Sequence, residues 1–302
     1  MKKLKLIFPN VNISGFYFEN YYNGVCSNSS KTTITNNTFV KNGYGIFIEP
    51  SMCYNRVNLT DTIIVNNIVN NNTCGGIRVS DILNASNINI SRNLVTNNFG
   101  SGISIRVSII NNGIITDNIV NNHNYTSVSG IYSSNLTINN NVINNRWNGI
   151  SIYINYFENS TVMNNTANNN KGLGIYISGY PNIKNNISNN IAKNNLENDI
   201  YLTVDGDGYL GFIINNTIKN NDINNNINGL VLYAAGWTYN MTLLSLVNNN
   251  IIEKNNITNH NGSGIFFDIY YGSVDNTTIK NNIIHDNEME IVNSNLYGGF
   301  TI

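Results

Sequence analysis

The feature that most constrains the fold is a pattern anchored on asparagine, which recurs ten times along the chain. In most copies an apolar residue follows the anchor two positions later, as Phe39 follows Asn37, and in nine copies a second aliphatic residue follows after about 9 or 10 positions, as Ile46 does. The predicted anchors, separated by about 23 to 35 residues, are Asn37, Asn67, Asn93, Asn118, Asn141, Asn165, Asn190, Asn221, Asn256 and Asn282. A repeat of this length is typical of a solenoid in which each copy forms one coil.

Apolar residues alternate over short runs inside each copy, as in the segments 46–48, 103–105 and 175–177. A period of two with β-branched residues predicts strands, here of about three to five residues. The strands end at Asn or Gly, which tolerate left-handed backbone, and the Gly before the second aliphatic residue is expected to form a tight bend. Three short strands per repeat therefore predict an all-β solenoid whose coils stack in parallel about 4.8 Å apart.

Asparagine suits an inward corner of such a solenoid because its amide is both a donor and an acceptor. Each anchor is expected to donate to the same residue of one neighbouring coil and to accept from the other, which forms an asparagine ladder. An unpaired buried amide would cost about 1 to 3 kcal/mol. A single coil buries too little apolar surface to offset the entropy of ordering its backbone, so stability is expected to come from stacking.

The composition excludes several classes of protein. Asn accounts for 71 and Ile for 46 of the 302 residues, only 11% are charged, and the formal charge is -1. Sparse Lys and Arg argue against nucleic-acid binding, and no apolar run reaches the roughly 18 to 20 residues of a membrane span. Disorder is the competing interpretation of an Asn-rich chain, and the regular Ile spacing with 41% hydrophobic residues argues against it.

The cysteines and the first residues bear on the compartment. Cys26, Cys53 and Cys74 form no C-x-x-C pair, so buried thiols are expected rather than a zinc or redox site. The opening MKKLKLIFPN is basic, but its apolar stretch is too short for a signal peptide and indicates a short strand. Either a signal has been removed or the sequence is a segment of a longer surface protein.

The pattern Asn-x-Φ-x-x-Asn followed by Gly-Ile-x-Φ (Φ is aliphatic), as in residues 37–48, resembles the right-handed parallel β-helix repeat family, which has a pectate-lyase-like fold. It looks closest to NosD-type carbohydrate-binding and sugar-hydrolase repeats and to adhesin-like surface proteins. The resemblance implies a right-handed β-helix of about ten to eleven coils, and it leaves function open because these repeats occur in enzymes and adhesins alike. The expected boundaries are 1–302 for a single domain, 1–20 for an N-terminal strand with a partial first coil, and 21–302 for the repeats.

The resemblance implies that an enzyme of this fold would carry its catalytic residues on the outer face of one sheet. Hydrolases use paired carboxylates there, and lyases use Ca²⁺-binding carboxylates with an Arg or Lys base. The outward columns of the Gly-Ile-x-Φ strands place no two carboxylates on neighbouring coils. The best lyase-like group consists of Glu49, Arg78, Asp81 and Arg106. Weak surface ion pairs are the alternative, and no catalytic residue is predicted.

Two further groups are candidates for metal sites. The segment 205–208, Asp-Gly-Asp-Gly, resembles the start of a Ca²⁺ loop without its remaining ligands, and a turn is the alternative. The second group is His260, His285, Asp286 and Glu288. Scattered surface residues are the alternative for this group. We therefore predict no metal and no cofactor, with Ca²⁺ as the alternative.

The strongest candidate for a binding site is aromatic. Outward positions of the Gly-Ile-x-Φ strands hold Tyr132, Tyr153, Tyr176, Tyr201, Tyr233 and Phe266. Exposed rings along a flat sheet can stack on the apolar faces of sugars, and rings that only support one another across strands are the alternative.

We predict a secreted or surface-displayed, adhesin-like protein with a non-catalytic binding or structural role. The expected partner is a polysaccharide or cell-surface glycan, with no nucleic acid and no membrane span. The alternative is a polysaccharide lyase or glycoside hydrolase with a non-standard site.

Overall fold

Short strands that pair in parallel account for nearly all of the regular structure. The computed structural model describes residues 2–6, 10–49, 58–124, 126–179, 181–206, 211–236, 245–270 and 272–294, and gives the backbone alone for 2–6, 81, 126–134, 205, 206 and 236. Among these residues there is no helix long and apolar enough to cross a bilayer. The chain divides into two compact units, Met1–Trp147 and Asn148–Ile302, and the prediction of a single domain stays a prediction.

The first unit contains nineteen strands. They are β1 Lys2–Leu6, β2 Asn12–Ser14, β3 Tyr17–Glu19, β4 Tyr21–Ser27, β5 Thr33–Thr35, β6 Thr38–Val40, β7 Tyr44–Ile48, β8 Asn58–Thr60, β9 Ile63–Val65, β10 Ile68–Asn70, β11 Gly75–Ser86, β12 Asn89–Ser91, β13 Leu94–Thr96, β14 Ile103–Asn111, β15 Ile114–Thr116, β16 Ile119–Asn121, β17 Thr126–Ser134, β18 Thr137–Asn139 and β19 Val142–Asn144.

The second unit contains twenty strands. They are β20 Ile150–Glu158, β21 Thr161–Met163, β22 Thr166–Ala167, β23 Ile175–Ser178, β24 Asn182–Ile183, β25 Asn186–Ser188, β26 Ile191–Lys193, β27 Ile200–Gly206, β28 Phe212–Ile214, β29 Thr217–Lys219, β30 Asp222–Asn224, β31 Leu230–Gly236, β32 Ser245–Asn248, β33 Ile251–Glu253, β34 Asn256–Thr258, β35 Ser263–Tyr270, β36 Gly272–Asp275, β37 Thr278–Lys280, β38 Ile283–His285 and β39 Met289–Asn293.

Each coil contributes one strand to each of two short-strand sheets and one or two strands to a third, long-strand sheet. In the first unit the first short-strand sheet runs β2-β5-β9-β12-β15-β18, and the second runs β3-β6-β10-β13-β16-β19. In the second unit the corresponding orders are β21-β25-β29-β33-β37 and β22-β26-β30-β34-β38. The long-strand sheet contains β4, β7, β11, β14 and β17 in the first unit and β20, β23, β27, β31 and β35 in the second.

Left-handed residues make the corners between the short strands. Most are Asn, but Arg92 (φ 54°), Asp117 (φ 57°) and Lys254 (φ 56°) fill the same role. Among the described residues Gly15 is the one glycine with positive φ, so the predicted bend at the Gly before the second aliphatic residue is wrong. That glycine provides close packing instead: a Cβ on Gly102 would lie 2.3 Å from Val120 Cγ1 of the next coil.

The predicted asparagine ladder is present at the corner between the two short-strand sheets. Within each unit, the Nδ2 atom of every ladder residue before the last donates to Oδ1 of the ladder residue one coil further on, over 2.9 to 3.1 Å. The members are Asn37, Asn67, Asn93, Asn118 and Asn141 in the first unit, and Asn165, Asn190, Asn221, Asn255 and Asn282 in the second.

One predicted anchor is wrong by one residue. The ladder contains Asn255, which is 1% exposed, whereas Asn256 begins β34 and donates from Nδ2 to Asp222 Oδ1 over 3.0 Å. In several other coils a left-handed Asn precedes the ladder Asn, but here Lys254 occupies that position. The Asn-Asn pair is therefore shifted by one relative to the corner, which misplaced the anchor.

A second ladder, which the sequence analysis missed, lies five residues after the first, except at Asn145, which lies four residues after Asn141. Its members are Asn42, Asn72, Asn98, His123 and Asn145 in the first unit, and Asn170, Asn195, Asn226, His260 and Asn287 in the second, ten side chains of which the first unit's five are at most 3% exposed. Asn72 Nδ2 donates to Asn98 Oδ1 over 2.7 Å. The second Asn of the Asn-x-Φ-x-x-Asn pattern was the signal for this ladder.

Stacked apolar side chains fill the interior between the ladders. The central residue of each short strand points inward, as Ile64 and Ile90 do in the first unit and Ile187 and Ile218 in the second, all 0% exposed. They pair in register across coils, so each column is a continuous apolar row. Burial of such side chains stabilises by about 1.5 to 3 kcal/mol each.

The ladder predicts that replacing a buried ladder asparagine lowers the free energy of unfolding much more than replacing an exposed asparagine. We expect Asn93→Ala to lower the free energy of unfolding by at least about 3 kcal/mol, because it removes the acceptor of two Asn67 donors and leaves buried polar groups unpaired. The exposed Asn144→Ala is the matched control and should cost less than about 0.5 kcal/mol. Chemical denaturation of the three proteins measures the difference, and equal losses would contradict the role of the ladder.

Candidate functional site

A row of tyrosines crosses the outer face of the long-strand sheet in the second unit. We call it the tyrosine row; its members are Tyr153, Tyr176, Tyr201, Tyr233 and Tyr270. One residue comes from each of β20, β23, β27, β31 and β35, which lie on five consecutive coils. Neighbouring ring centroids are 5.1, 5.5, 6.3 and 5.8 Å apart, with interplanar angles from 53° to 82°. These are edge-to-face and tilted contacts, the favoured arrangements of aromatic pairs.

The rings are partly open to solvent. Tyr153 and Tyr270, at the two ends of the row, are 45% and 39% exposed, and the three between them are half-buried. Burial, with the neighbouring Tyr176 and Tyr233 and the Asp268 carboxylate, raises the pKa of Tyr201. The phenol of Tyr201 therefore stays protonated at neutral pH and keeps both its donor and its acceptor.

Four of the six predicted aromatic residues belong to the row. Phe266 shares a column with Tyr201, but within the described residues it makes no ring contact with the row. Its place is taken by Tyr270, which was missed because only the first two outward positions of each strand were considered. The period of two along β35, from Phe266 through Asp268 to Tyr270, was the available signal.

The predicted position of Tyr132 is wrong. It was aligned with the column that contains Ser104, but the backbone pairs Tyr132 with Ile109 and Ser104 with Ser127. The reason is that the backbone pairs Val128 with Ile105, so the Gly-Ile pair that suggested the alignment falls later in the coil. Its side chain lies outside the described residues.

The lyase-like group is brought together only in part. Arg78 and Arg106 line one pocket of about 110 Å³ in the first unit, whereas Glu49 does not line it and the side chain of Asp81 is not described. Arg78 donates to Tyr44 Oη over 3.0 Å and to Ser80 Oγ over 3.2 Å. Its guanidinium group also lies 5.6 Å from the centre of the Tyr44 ring, a cation–π distance.

A buried acid lies beside the second ladder of the second unit. Asp199 occupies the position that Gly174 and Gly229 hold in neighbouring coils, and its side chain is 0% exposed. Its Oδ1 accepts hydrogen bonds from Asn195 Nδ2 over 2.7 Å and from Asn226 Nδ2. Burial is the largest effect on the carboxyl and raises its pKa well above the ordinary value, although the two amides oppose the shift.

His260, one coil beyond Asn226, is the second buried titratable group. Its Nδ1 lies 4.0 Å from Asp199 Oδ2, and neither side chain is exposed. Burial lowers the pKa of His260 to about 4. Because burial favours the neutral form of both groups, the pair is an acid beside a neutral imidazole rather than a salt bridge.

The four residues of the candidate metal group are not gathered into one site. His260 is buried, whereas His285 and Asp286 are 57% and 70% exposed and lie 2.7 Å apart on the surface. No group of three His, Cys, Asp or Glu side chains within the described ranges is placed to hold a metal ion. Residues 207–208 and the side chain of Asp205 lie outside those ranges, so the Ca²⁺ alternative stays a prediction.

One of the two cysteines that the structure describes is buried, as the sequence analysis expects, and the other is not. Cys26 is buried as expected, but Cys74 is exposed because it follows the second ladder at the rim of the pocket that contains Arg78. Cys53 lies outside the described residues.

Parallel short-strand sheets, two amide ladders and stacked aliphatic rows define the class of fold: this chain is a right-handed parallel β-helix. The family described as "Right handed beta helix region" matches residues 104–243. Comparison with curated protein sequences gives no match. Among solved structures, the chain is similar to the A-module of mannuronan C-5 epimerase AlgE4 from Azotobacter vinelandii, with 13% identity, coverage of 99% of this chain and 91% of that one, and a TM-score of 0.35.

The lowered pKa of His260 predicts a pH-dependent difference between the wild type and a ladder variant. The unfolded chain takes up a proton near pH 6.5 and the folded chain only near pH 4, so the contribution of His260 to stability is complete above pH 6.5 and is lost as the pH falls to 4. At about 1.4 kcal/mol per pKa unit, the wild type should lose about 3 kcal/mol relative to His260→Asn over this range.

Chemical denaturation at several pH values tests this expectation. The exposed His285→Asn is the control and should keep the pH dependence of the wild type. Parallel stability curves for His260→Asn and the wild type would contradict it. Asp199 has the opposite effect on the pH dependence of stability, and it is present in both proteins. Because its pKa is raised in the folded state, its contribution to the free energy of unfolding is largest at low pH and is lost as the pH rises through the folded-state pKa.

Proposed function

We propose that this chain is a non-catalytic, adhesin-like β-helix, secreted or displayed at a cell surface, which binds carbohydrate through the tyrosine row. The observation that supports this proposal is the continuity of the row. Five consecutive coils each contribute one tyrosine, and every neighbouring pair of rings is in contact.

The chemistry of the row suits a sugar polymer. Each tyrosine offers an apolar ring that can pack on the C–H face of a pyranose and a hydroxyl group that donates or accepts a hydrogen bond. Coils in parallel β-structure are about 4.8 Å apart, so a polymer that lies along the row meets a new tyrosine at each coil. A binding surface of this kind needs no catalytic group.

Mutual packing of the rings favours binding as well as stability. Contacts with Tyr153 and Tyr201 hold the Tyr176 ring on both sides, so little side-chain freedom remains to be lost when a ligand docks. Tyrosine is a common anchor at binding surfaces for this reason. The exposed rings of Tyr153 and Tyr270 extend the surface at both ends.

Catalysis on a polysaccharide is the competing function. Incubation of the protein with a panel of polyuronides, with and without Ca²⁺, distinguishes the two. A binding protein releases no reducing ends and produces no unsaturated sugar. Sustained release of either product would replace the proposal with a lyase or hydrolase.

Removal of rings from the row should weaken glycan binding. We expect the double variant Tyr176→Ala and Tyr201→Ala to lose its retardation in affinity electrophoresis through gels that contain the bound polysaccharide. Tyr201→Phe should keep most of the retardation because it retains the ring. The matched control is Tyr156→Ala, which removes a tyrosine that is 52% exposed on β20 but outside the row.

Two outcomes would contradict binding by the tyrosine row. If the double variant is retarded as strongly as the wild type, or if Tyr156→Ala loses as much, the row does not bind the glycan. Circular dichroism of each variant confirms that the β-structure is intact before the gels are compared.

A further inference from the structure

A groove of about 400 Å³ lies in the first unit at the corner that follows the second ladder. It is lined by Asn71, Asn72, Thr73, Asn97, Asn98, Phe99, Asn122 and Arg146. None of these residues belongs to the tyrosine row or to the lyase-like group. The groove combines an aromatic ring, several amides, a hydroxyl group and one guanidinium group.

The aromatic ring is unusually open. Phe99 follows the buried ladder residue Asn98 and is 73% exposed, the largest exposure of any apolar side chain in the described part of the chain. Its backbone N–H donates to Asn72 O over 3.0 Å, which fixes the backbone of Phe99 at this corner. Such an exposed ring contributes nothing to the core and offers an apolar face to a ligand.

The amide groups beside the ring belong to corner residues with a left-handed backbone. Asn71, Asn97 and Asn122 have φ of 54°, 54° and 61°, and all three side chains point to solvent. Asn122 Nδ2 donates to Asn97 Oδ1 over 3.0 Å, which leaves Asn122 Oδ1 without a donor among the described residues. The Asn71 amide makes no hydrogen bond within the same residues, so both of its polar atoms are available.

The charge of the groove comes from Arg146. The side chain is exposed, and it forms neither an ion pair nor a hydrogen bond with the described residues. No carboxylate lines the groove. A guanidinium group with all its donors open and no acid beside it is suited to bind a carboxylate or a sulfate group.

We propose that this groove binds a sugar residue that carries an acidic group, a carboxylate or a sulfate. The pyranose ring packs on Phe99, its hydroxyl groups bond to the Asn71 and Asn122 amides, and the acidic group bonds to Arg146. Arg146 lies two coils beyond Phe99, roughly 10 Å along the sheet, so the groove accommodates one or two sugar residues. The inference rests on the proposed function only in taking carbohydrate as the ligand, because its residues are in the other unit.

Isothermal titration with four probes tests the inference: oligogalacturonate for the carboxylate, a chondroitin sulfate tetrasaccharide for the sulfate, maltotriose as a neutral sugar, and inorganic sulfate alone. We expect at least one acidic saccharide to bind, and Phe99→Ala to weaken it about tenfold, equivalent to about 1.4 kcal/mol. Arg146→Gln should weaken the acidic saccharide about tenfold and leave the affinity for maltotriose unchanged. Whichever acidic probe binds more tightly identifies the acidic group.

The controls are Tyr17→Ala, which removes an aromatic side chain that is 62% exposed elsewhere in the first unit, and the exposed Arg92→Gln. Both should bind like the wild type. Absence of binding by both acidic saccharides, binding of inorganic sulfate as tight as that of the saccharides, or equal losses in the controls would overturn the inference. The Tyr176 and Tyr201 variants, titrated with the same probes, separate it from the proposed function, since failure of the groove leaves their effect unchanged and failure of the row leaves the effect of Phe99→Ala unchanged.

Discussion

The hydrogen bonds of the ladder amides are the constraint on which the rest of the structure depends. Asn93 shows the full set: its Oδ1 accepts from the backbone and side-chain nitrogens of Asn67, and its Nδ2 donates to Ile64 O and to Asn118 Oδ1. One buried amide therefore joins three successive coils. A slip of one residue would unpair all four bonds at once and turn the apolar column outward, so register is fixed at every corner.

Because the ladders and the inward columns fix the coil, the outward columns and the corner residues are free to vary. A side chain at one outward position meets the same position of the next coil about 4.8 Å away, so functional groups on this scaffold occur as rows. The tyrosine row is such a row, and its drift across columns from Tyr153 to Tyr270 follows the ring contacts rather than a single register position. A single corner residue such as Phe99 does not form a row of its own, and it lies beside the rows of asparagines that have a left-handed backbone.

The sequence was sufficient to predict the fold and nine of the ten anchors, because amides that must stack in register recur at the same place in each repeat. It was insufficient where the sequence pattern is shifted relative to the structure. Lys254 at a left-handed corner moved the Asn pair by one residue, and the backbone pairs Ser127, and not Tyr132, with Ser104. Tyr270 lies beyond the columns that the repeat defines, and the exposure of Phe99 has no periodic signal. Contacts that depend on where insertions place a side chain are set by packing and not by the repeat.

The break in the second ladder shows how strictly the repeat depends on its glycines. A Cβ on Gly174 would lie 2.7 Å from the Nδ2 atom of Asn195, the ladder residue of the next coil, so glycine is the residue that leaves room for an amide there. Asp199 fills this position with a side chain, and the next ladder residue, Asn226, turns its Nδ2 toward the carboxyl. Its own Oδ1 then has no hydrogen-bond partner among the described residues. The ladder resumes at His260, whose backbone N–H donates to Asn287 Oδ1 over 3.1 Å. Within the described residues two consecutive links of this ladder, Asn195–Asn226 and Asn226–His260, are therefore missing beside Asp199. The links on either side, Asn170–Asn195 and His260–Asn287, are present, because each ladder residue is bonded only to its neighbours.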